Sequence, residues 1–147
     1  MVTDQPAVAT SFTFLLGKLG GIAGSRFAER LAGLGIKPRH CAVLELAEPG
    51  KLSQLELAGR IGVTPSVVVD MLDELEALGA IRRVPQPEDR RRRVIELTAT
   101  GRKLREQAGQ AAHAVDAELL SGLSPSRQEA LRAALAQLGS DQGLDYS

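Results

Sequence analysis

Four consecutive arginines, Arg90 to Arg93, follow the turn residues Pro87-Glu88-Asp89 in a chain of 147 residues whose formal net charge is zero. Guanidinium groups at that density suit one of two tasks. They make charge-assisted, often bidentate contacts to phosphate, or they keep a strand edge from pairing with other chains. From Arg82 to Arg105 nine basic residues stand against three acidic ones, an excess of six. The balancing acids lie elsewhere, so a neutral total conceals a polarised surface.

Such a surface needs elements to project it. Ser53-Gln54-Leu55-Glu56 has the S-x-x-E form of a capping box, and Leu55, Leu57, Ala58 and Ile61 give the helix behind it an apolar face. Gly62 suits its C′ position. Thr64-Pro65 then offers an N-cap and a proline at the first helical position. Val68, Met71, Leu72, Leu75 and Leu78 carry that helix to Gly79. Two short helices joined by Gly62-Val63-Thr64 have the spacing of a helix-turn-helix. Ile81 to Val84 and Arg92 to Leu97 read as strands around a proline-rich, acidic turn, which makes a β-hairpin. A helix-turn-helix followed by a hairpin is a winged helix. Its second helix fits a B-DNA major groove about 12 Å wide, and the basic hairpin tip can reach phosphates or the adjacent minor groove. With that architecture alongside, the phosphate reading of the arginines is favoured over the solvated strand edge.

The rest of the chain is helical. Residues 11 to 35 form a helix with Gly17, Gly20, Gly21 and Gly24 on one stripe. Glycine costs up to about 1 kcal/mol per helical site, so the stripe implies close packing against a partner. Gly33 and Gly35 end it. Pro38 starts a second helix through Cys41, Val43, Leu44, Leu46 and Ala47, which Pro49-Gly50 stops. Lys37 leaves that start less well capped. Thr98 caps a long helix over 99 to 120, lined by Leu104, Ala108, Ala111, Val115 and Leu119. Ser124-Pro125 opens a last one striped by Leu131, Ala134, Leu135 and Leu138, with a loose polar tail expected after Gly139. The fold class is therefore mainly α: a winged helix-turn-helix with a β-hairpin wing and further helices at both ends, in a single domain.

Asp89-x-Arg91 followed by Leu97-Thr98-x-x-Gly101 resembles the D-x-R wing and L-T-x-x-G helix start of the MarR (multiple antibiotic resistance regulator) family of bacterial transcription factors. Pro38 before Ala42-Val43-Leu44, Leu57-Ala58 with Thr64-Pro65-Ser66, and Asp73-x-Leu75-Glu76-x-x-Gly79 match family positions too. The resemblance covers about residues 10 to 140. It implies a homodimer built from helices at 10–36 and 99–139, with a DNA-binding lobe at 37–98. It also implies double-stranded DNA as partner, through a pseudo-palindromic operator with half-sites about 34 Å apart, a repressor's role, and release by a small aromatic effector. Carried over by position, Thr64, Pro65, Ser66, Val67, Val69 and Asp70 face the groove, and Ser53 and Gln54 contact phosphate. Arg91 is the wing's minor-groove or backbone contact, beside Arg90, Arg92 and Arg93. Asp89 braces the wing by pairing with an arginine. The residues lining the effector cleft are not named by the resemblance.

The second helix of the pair departs from the family. Relatives commonly have threonine or serine then arginine where Val69-Asp70 stands, and often arginine at Glu74. Val67 to Leu78 holds Asp70, Asp73, Glu74 and Glu76 and no cation. Asp70 can accept from cytosine N4, but carboxylates near phosphates repel. Two readings follow: a DNA-binding regulator relying on its wing and helix N-termini, or a winged-helix module for protein interaction or ligand sensing with weak DNA binding.

Other chemistries lack their residues. Cys41, the single cysteine, lies on an apolar run and reads as a small buried residue rather than a redox sensor. One cysteine with His40 and His113 makes no metal spacing, and no cofactor is implied. No nucleophile elbow, P-loop or H-E-x-x-H occurs, so the chain reads as no enzyme. No apolar run is long enough to span a membrane and no signal peptide is evident, so a reducing cytoplasm is expected.

Overall fold

Hydroxyl side chains start most of the helices. In a computed structural model, which describes residues 7–47, 51–144 and 146, the order is α1 (Phe12–Ala32), α2 (Pro38–Leu46), α3 (Gln54–Ile61), α4 (Pro65–Ala77), β1 (Ile81–Pro85), β2 (Arg93–Leu97), α5 (Ala99–Leu120) and α6 (Pro125–Asp141). Ser11, Ser53, Thr64, Thr98 and Ser124 each accept a backbone N–H from the first turn of α1, α3, α4, α5 and α6. Each satisfies a donor that the helix itself leaves orphaned. Glycines at positive φ close the other ends: Gly35 after α1, Gly62 after α3 and Gly79 after α4. The Pro49-Gly50 stop after α2 lies outside the described residues.

β1 and β2 pair antiparallel, Ile81 opposite Leu97 and Val84 opposite Val94. Residues 86–92 form the tip between them. The segment ahead of α3 joins the outer edge of β2. Ser53 bridges Val94, and the Ile95 N–H donates to the Leu52 carbonyl at 2.9 Å. The wing is thereby stitched to the helix-turn-helix, a contact with no local signature in the sequence.

One apolar cluster holds the fold. Leu44, Leu57, Leu72, Leu75, Ile81 and Ile95 are fully buried in it, and Leu31 of α1 and Leu104 and Ala108 of α5 join the same cluster. The expected lobe at 37–98 therefore shares its core with the flanking helices.

Two expectations need correcting. Leu55 is 70% exposed and does not belong to the apolar face of α3. This eight-residue helix packs against α2, α4 and β2, and the residues it buries there are Leu57 and Ala58. The final helix does not end at Gly139 but runs to Asp141. Its left-handed terminator is Gly143, and the Leu144 N–H returns to the Gly139 carbonyl at 2.9 Å. Beyond the backbone of α1 itself, no heavy atom of the described residues lies within 4 Å of a Cβ built on Gly17, Gly20, Gly21 or Gly24. The partner expected for this stripe is not among the described residues.

Candidate nucleic-acid interface

Burial fixes which face of α4 points outward. Val68, Met71, Leu72 and Leu75 are buried. At about 100° per residue the opposite crown carries Ser66, Asp70, Asp73 and Ala77. Thr64, Pro65, Ser66, Val67 and Asp70 are exposed, whereas Val69 is half-buried on the flank. Thr64 Oγ1 caps the helix at the Val67 N–H and lies 3.2 Å from Ser66 Oγ. Ser53 and Gln54 sit half-buried at the start of α3. Ser53 Oγ accepts the Glu56 N–H and donates to Glu56 Oε1.

The acidity of α4 is largely neutralised from outside. Arg39 and His40 of α2 take the two oxygens of Glu74 on one edge. Arg83 of β1 takes Glu76 and, at 2.7 Å, Asp73 on the other. The Arg39 and His40 hydrogen bonds hold the Glu74 carboxyl below its usual range. Asp70 alone of the four has no ion pair or side-chain hydrogen bond among the described residues. The repulsion expected from four bare carboxylates reduces to one.

At the wing, the structure separates the arginines. Arg92 pairs with Glu56 of α3 and ties the tip to the lobe. Arg93 occupies the first position of β2, opposite Pro85. Arg90 and Arg91 stand exposed at the turn with no acidic partner among the described residues. Asp89 does brace the tip, but not through an arginine side chain. Its Oδ1 accepts the Arg91 backbone N–H at 3.0 Å, and its carbonyl accepts from the Arg92 N–H at 3.0 Å. A side chain turned back on its own loop is an Asx turn, which short acidic residues favour. The tip is therefore ordered by backbone bonds while both guanidinium groups stay available.

Sequence reasoning did not foresee that His40, Arg39 and Arg83 would hold the carboxylates of α4. Only the S-x-x-E spacing pointed to a task for Glu56, and that task was capping. The thiol of Cys41 is half-buried. Burial, with the nearby Glu45 carboxylate, pushes it up to about 11. Among the described residues no cluster of three metal-ligating side chains occurs, and no helix is long and apolar enough to cross a membrane.

The geometry is a winged helix with an outward α4 and a cationic tip. The model of the MarR family matches residues 38–92, the stretch from α2 to the wing. The HTH-type transcriptional repressor Rv2887 of Mycobacterium tuberculosis is 32% identical over 129 residues, which span 87% of this chain and 93% of that protein. This chain belongs to the MarR family. Solved MarR-family structures superpose over nearly the whole chain. Rv2887 in complex with DNA has a TM-score of 0.73 at 29% identity, covering 88% of this chain and 98% of that one. Rv2887 with salicylic acid has a TM-score of 0.72 at 29% identity, covering 94% and 100%. CouR of Rhodococcus jostii RHA1 bound to p-coumaroyl-CoA gives 0.76 at 29% identity, covering 91% and 95%.

Proposed function

We propose that this MarR-family chain is a DNA-binding transcriptional repressor that acts as a homodimer in the cytoplasm. The observation that carries the reading is the pair Arg90 and Arg91, left without acids on a hairpin tip braced by Asp89, beside a helix whose other carboxylates are screened. Ser66 and Asp70 on the crown of α4 face the groove, with Thr64, Pro65 and Val67 at its leading end. Val69 has a lesser part from the flank. Ser53 and Gln54 meet phosphate at the start of α3. Arg92 and Arg93 support the tip. Asp70, an acceptor with no donor of its own, suits an exocyclic amino group such as cytosine N4. The DNA complex of Rv2887 supports the same docking.

The homodimer is supported by what the chain leaves uncovered. Phe12, Leu15, Leu16 and Leu19 of α1 and Leu131, Leu135 and Leu138 of α6 are exposed, next to the four glycines with open space. These exposed faces support the division that the resemblance implies, with dimerisation helices at 10–36 and 99–139 and a DNA-binding lobe at 37–98. A small aromatic acid as effector is supported by the salicylic acid complex of Rv2887 and the p-coumaroyl-CoA complex of CouR. A shallow, solvent-open groove beside α1 and α5 is lined by Arg30, Leu34, Gln107 and Ala111.

The deciding experiment is fluorescence anisotropy with the duplex upstream of the chain's own gene, across a salt series. Log affinity should fall linearly with log salt. The double variant Arg90→Ala/Arg91→Ala should bind more weakly and flatten the slope by about 0.9 for each phosphate it no longer neutralises. An unchanged slope in the variant would favour the protein-interaction alternative.

A further inference from the structure

His40 is the one polar side chain buried among the described residues, 2% exposed, and both ring nitrogens are engaged. Nδ1 accepts the Lys37 backbone N–H at 2.9 Å, the N3 half of a capping box at the start of α2. Lysine has no side-chain acceptor for the N3 N–H, which the Lys37 carbonyl takes instead at 3.0 Å; the His40 ring satisfies the Lys37 N–H, a separate donor at the same helix start. A ring nitrogen that accepts carries no proton. The proton is therefore on Nε2, which donates to Glu74 Oε2 of α4. Arg39 holds the other oxygen of the same carboxylate. Burial, with Arg39 and Lys37 beside it, outweighs the pull of Glu74 and keeps the ring neutral.

Apolar packing alone does not aim a helix. The contacts of Val68, Met71, Leu72 and Leu75 are non-directional and tolerate small rotations about the axis. Hydrogen bonds have directions. Glu74 lies on the flank of α4 facing α2, and Asp73 and Glu76 are gripped by Arg83 from the wing side. The helix is clamped along both edges.

We propose that His40 is a positioning residue for DNA recognition, which with Arg39 grips Glu74 and sets the rotation of α4, so aiming Ser66 and Asp70. This rests on the DNA-binding reading above. The clamp joins a helix start in the core to a side chain on the reading helix, so a change at either end displaces the other.

The chemistry names its own rescue. Glutamine at position 40 supplies an acceptor for the Lys37 N–H and a donor for Glu74, whereas leucine fills the space and supplies neither. The test compares His40→Gln, His40→Leu and Glu74→Ala for affinity to the upstream duplex and to a scrambled duplex of equal length. Removing a carboxylate near DNA alters both affinities, so the readout is their ratio. His40→Leu and Glu74→Ala should each lower it about tenfold, the scale of one misread base pair. The double variant should lose little more, as coupled partners do, and His40→Gln should keep the wild-type ratio. Amide exchange should quicken along α4 in Glu74→Ala, with the thermal midpoint little moved. A glutamine variant no better than leucine, or an unaltered ratio and exchange in Glu74→Ala, would overturn the clamp while leaving DNA binding intact. Wild-type protein that prefers neither duplex would instead sink the DNA-recognition reading on which the aim depends.

Discussion

Gly101 lies directly against the carbonyl of Ala80: a Cβ added at Gly101 would stand 1.9 Å from the Ala80 oxygen and 2.9 Å from its carbon. The Thr98 N–H donates to that same oxygen at 3.0 Å, and Thr98 Oγ1 reaches the Gly79 carbonyl. The end of α4, the start of β1 and the start of α5 therefore meet backbone to backbone, where no flexible side chain can yield. This is the physical content of Leu97-Thr98-x-x-Gly101. Gly101→Ala is expected to destabilise the protein by about 3 kcal/mol or more. Gly109→Ala, on the same helix with open space around it, should be neutral or stabilising by up to about 1 kcal/mol. Urea unfolding of the two variants checks this, and coincident midpoints would contradict it.

Arg83 carries two acids on a guanidinium only 19% exposed, while Asp73 and Glu76 are largely open to solvent. Ion pairs of that kind contribute about 1 kcal/mol or less to stability. Their larger effect is electrostatic, because without Arg83 two bare carboxylates would stand on the outward side of α4, Asp73 on its crown and Glu76 beside it. Arg83→Ala should barely move the thermal midpoint yet weaken binding to the upstream duplex several-fold, on the scale of about 1 kcal/mol. Arg83→Lys should recover part of the loss, since an ammonium cannot hold both acids in a fork. Anisotropy beside a thermal melt separates the two effects; a stability loss matching the affinity loss would refute the argument.

The winged helix was legible because its signals are local. Ser53, Thr64 and Thr98 as caps, Pro65 at a helix start, and Gly62 and Gly79 at positive φ each act within a few residues. What the sequence could not reveal depends on elements meeting in space. Asp73, Glu74 and Glu76 read as a repulsive acidic face because Arg39 and Arg83 lie on other elements. Arg92 read as one of four equivalent arginines because Glu56 is distant along the chain. Asp89 was read as an arginine partner, and the shorter path to its own loop's N–H prevailed. Leu55 fits the helical stripe of α3, but a stripe says nothing about which part of it neighbours cover.

The uncovered faces of α1 and α6 make a prediction about assembly. Leu19 is 53% and Leu135 46% exposed, and α6 buries no residue within the chain. Monomeric proteins rarely leave so extended an apolar surface open. Wild-type protein should sediment as a dimer. Leu19→Glu and Leu135→Glu, which place charges where desolvation is costly, should shift it towards monomer and lower apparent stability. Unchanged sedimentation of both variants would show that another surface joins the subunits.

Cys41 allows a prediction about reactivity and pH. Its thiol is pushed up to about 11, first by burial and then by Glu45, and the thiolate is the reactive form. Folded protein should therefore resist iodoacetamide at pH 8, and label only as it unfolds in denaturant. The linkage sign follows from the same shift. The unfolded chain releases the thiol proton near its ordinary value of 9.0, whereas the folded one retains it. Stability from the buried neutral thiol is present below about pH 9 and is lost as pH rises from there towards 11. Cys41→Ala should remove that portion of the alkaline decline. Rapid labelling of the native protein, with DNA release by peroxide that Cys41→Ala abolishes, would make the cysteine a sensor instead of a core residue.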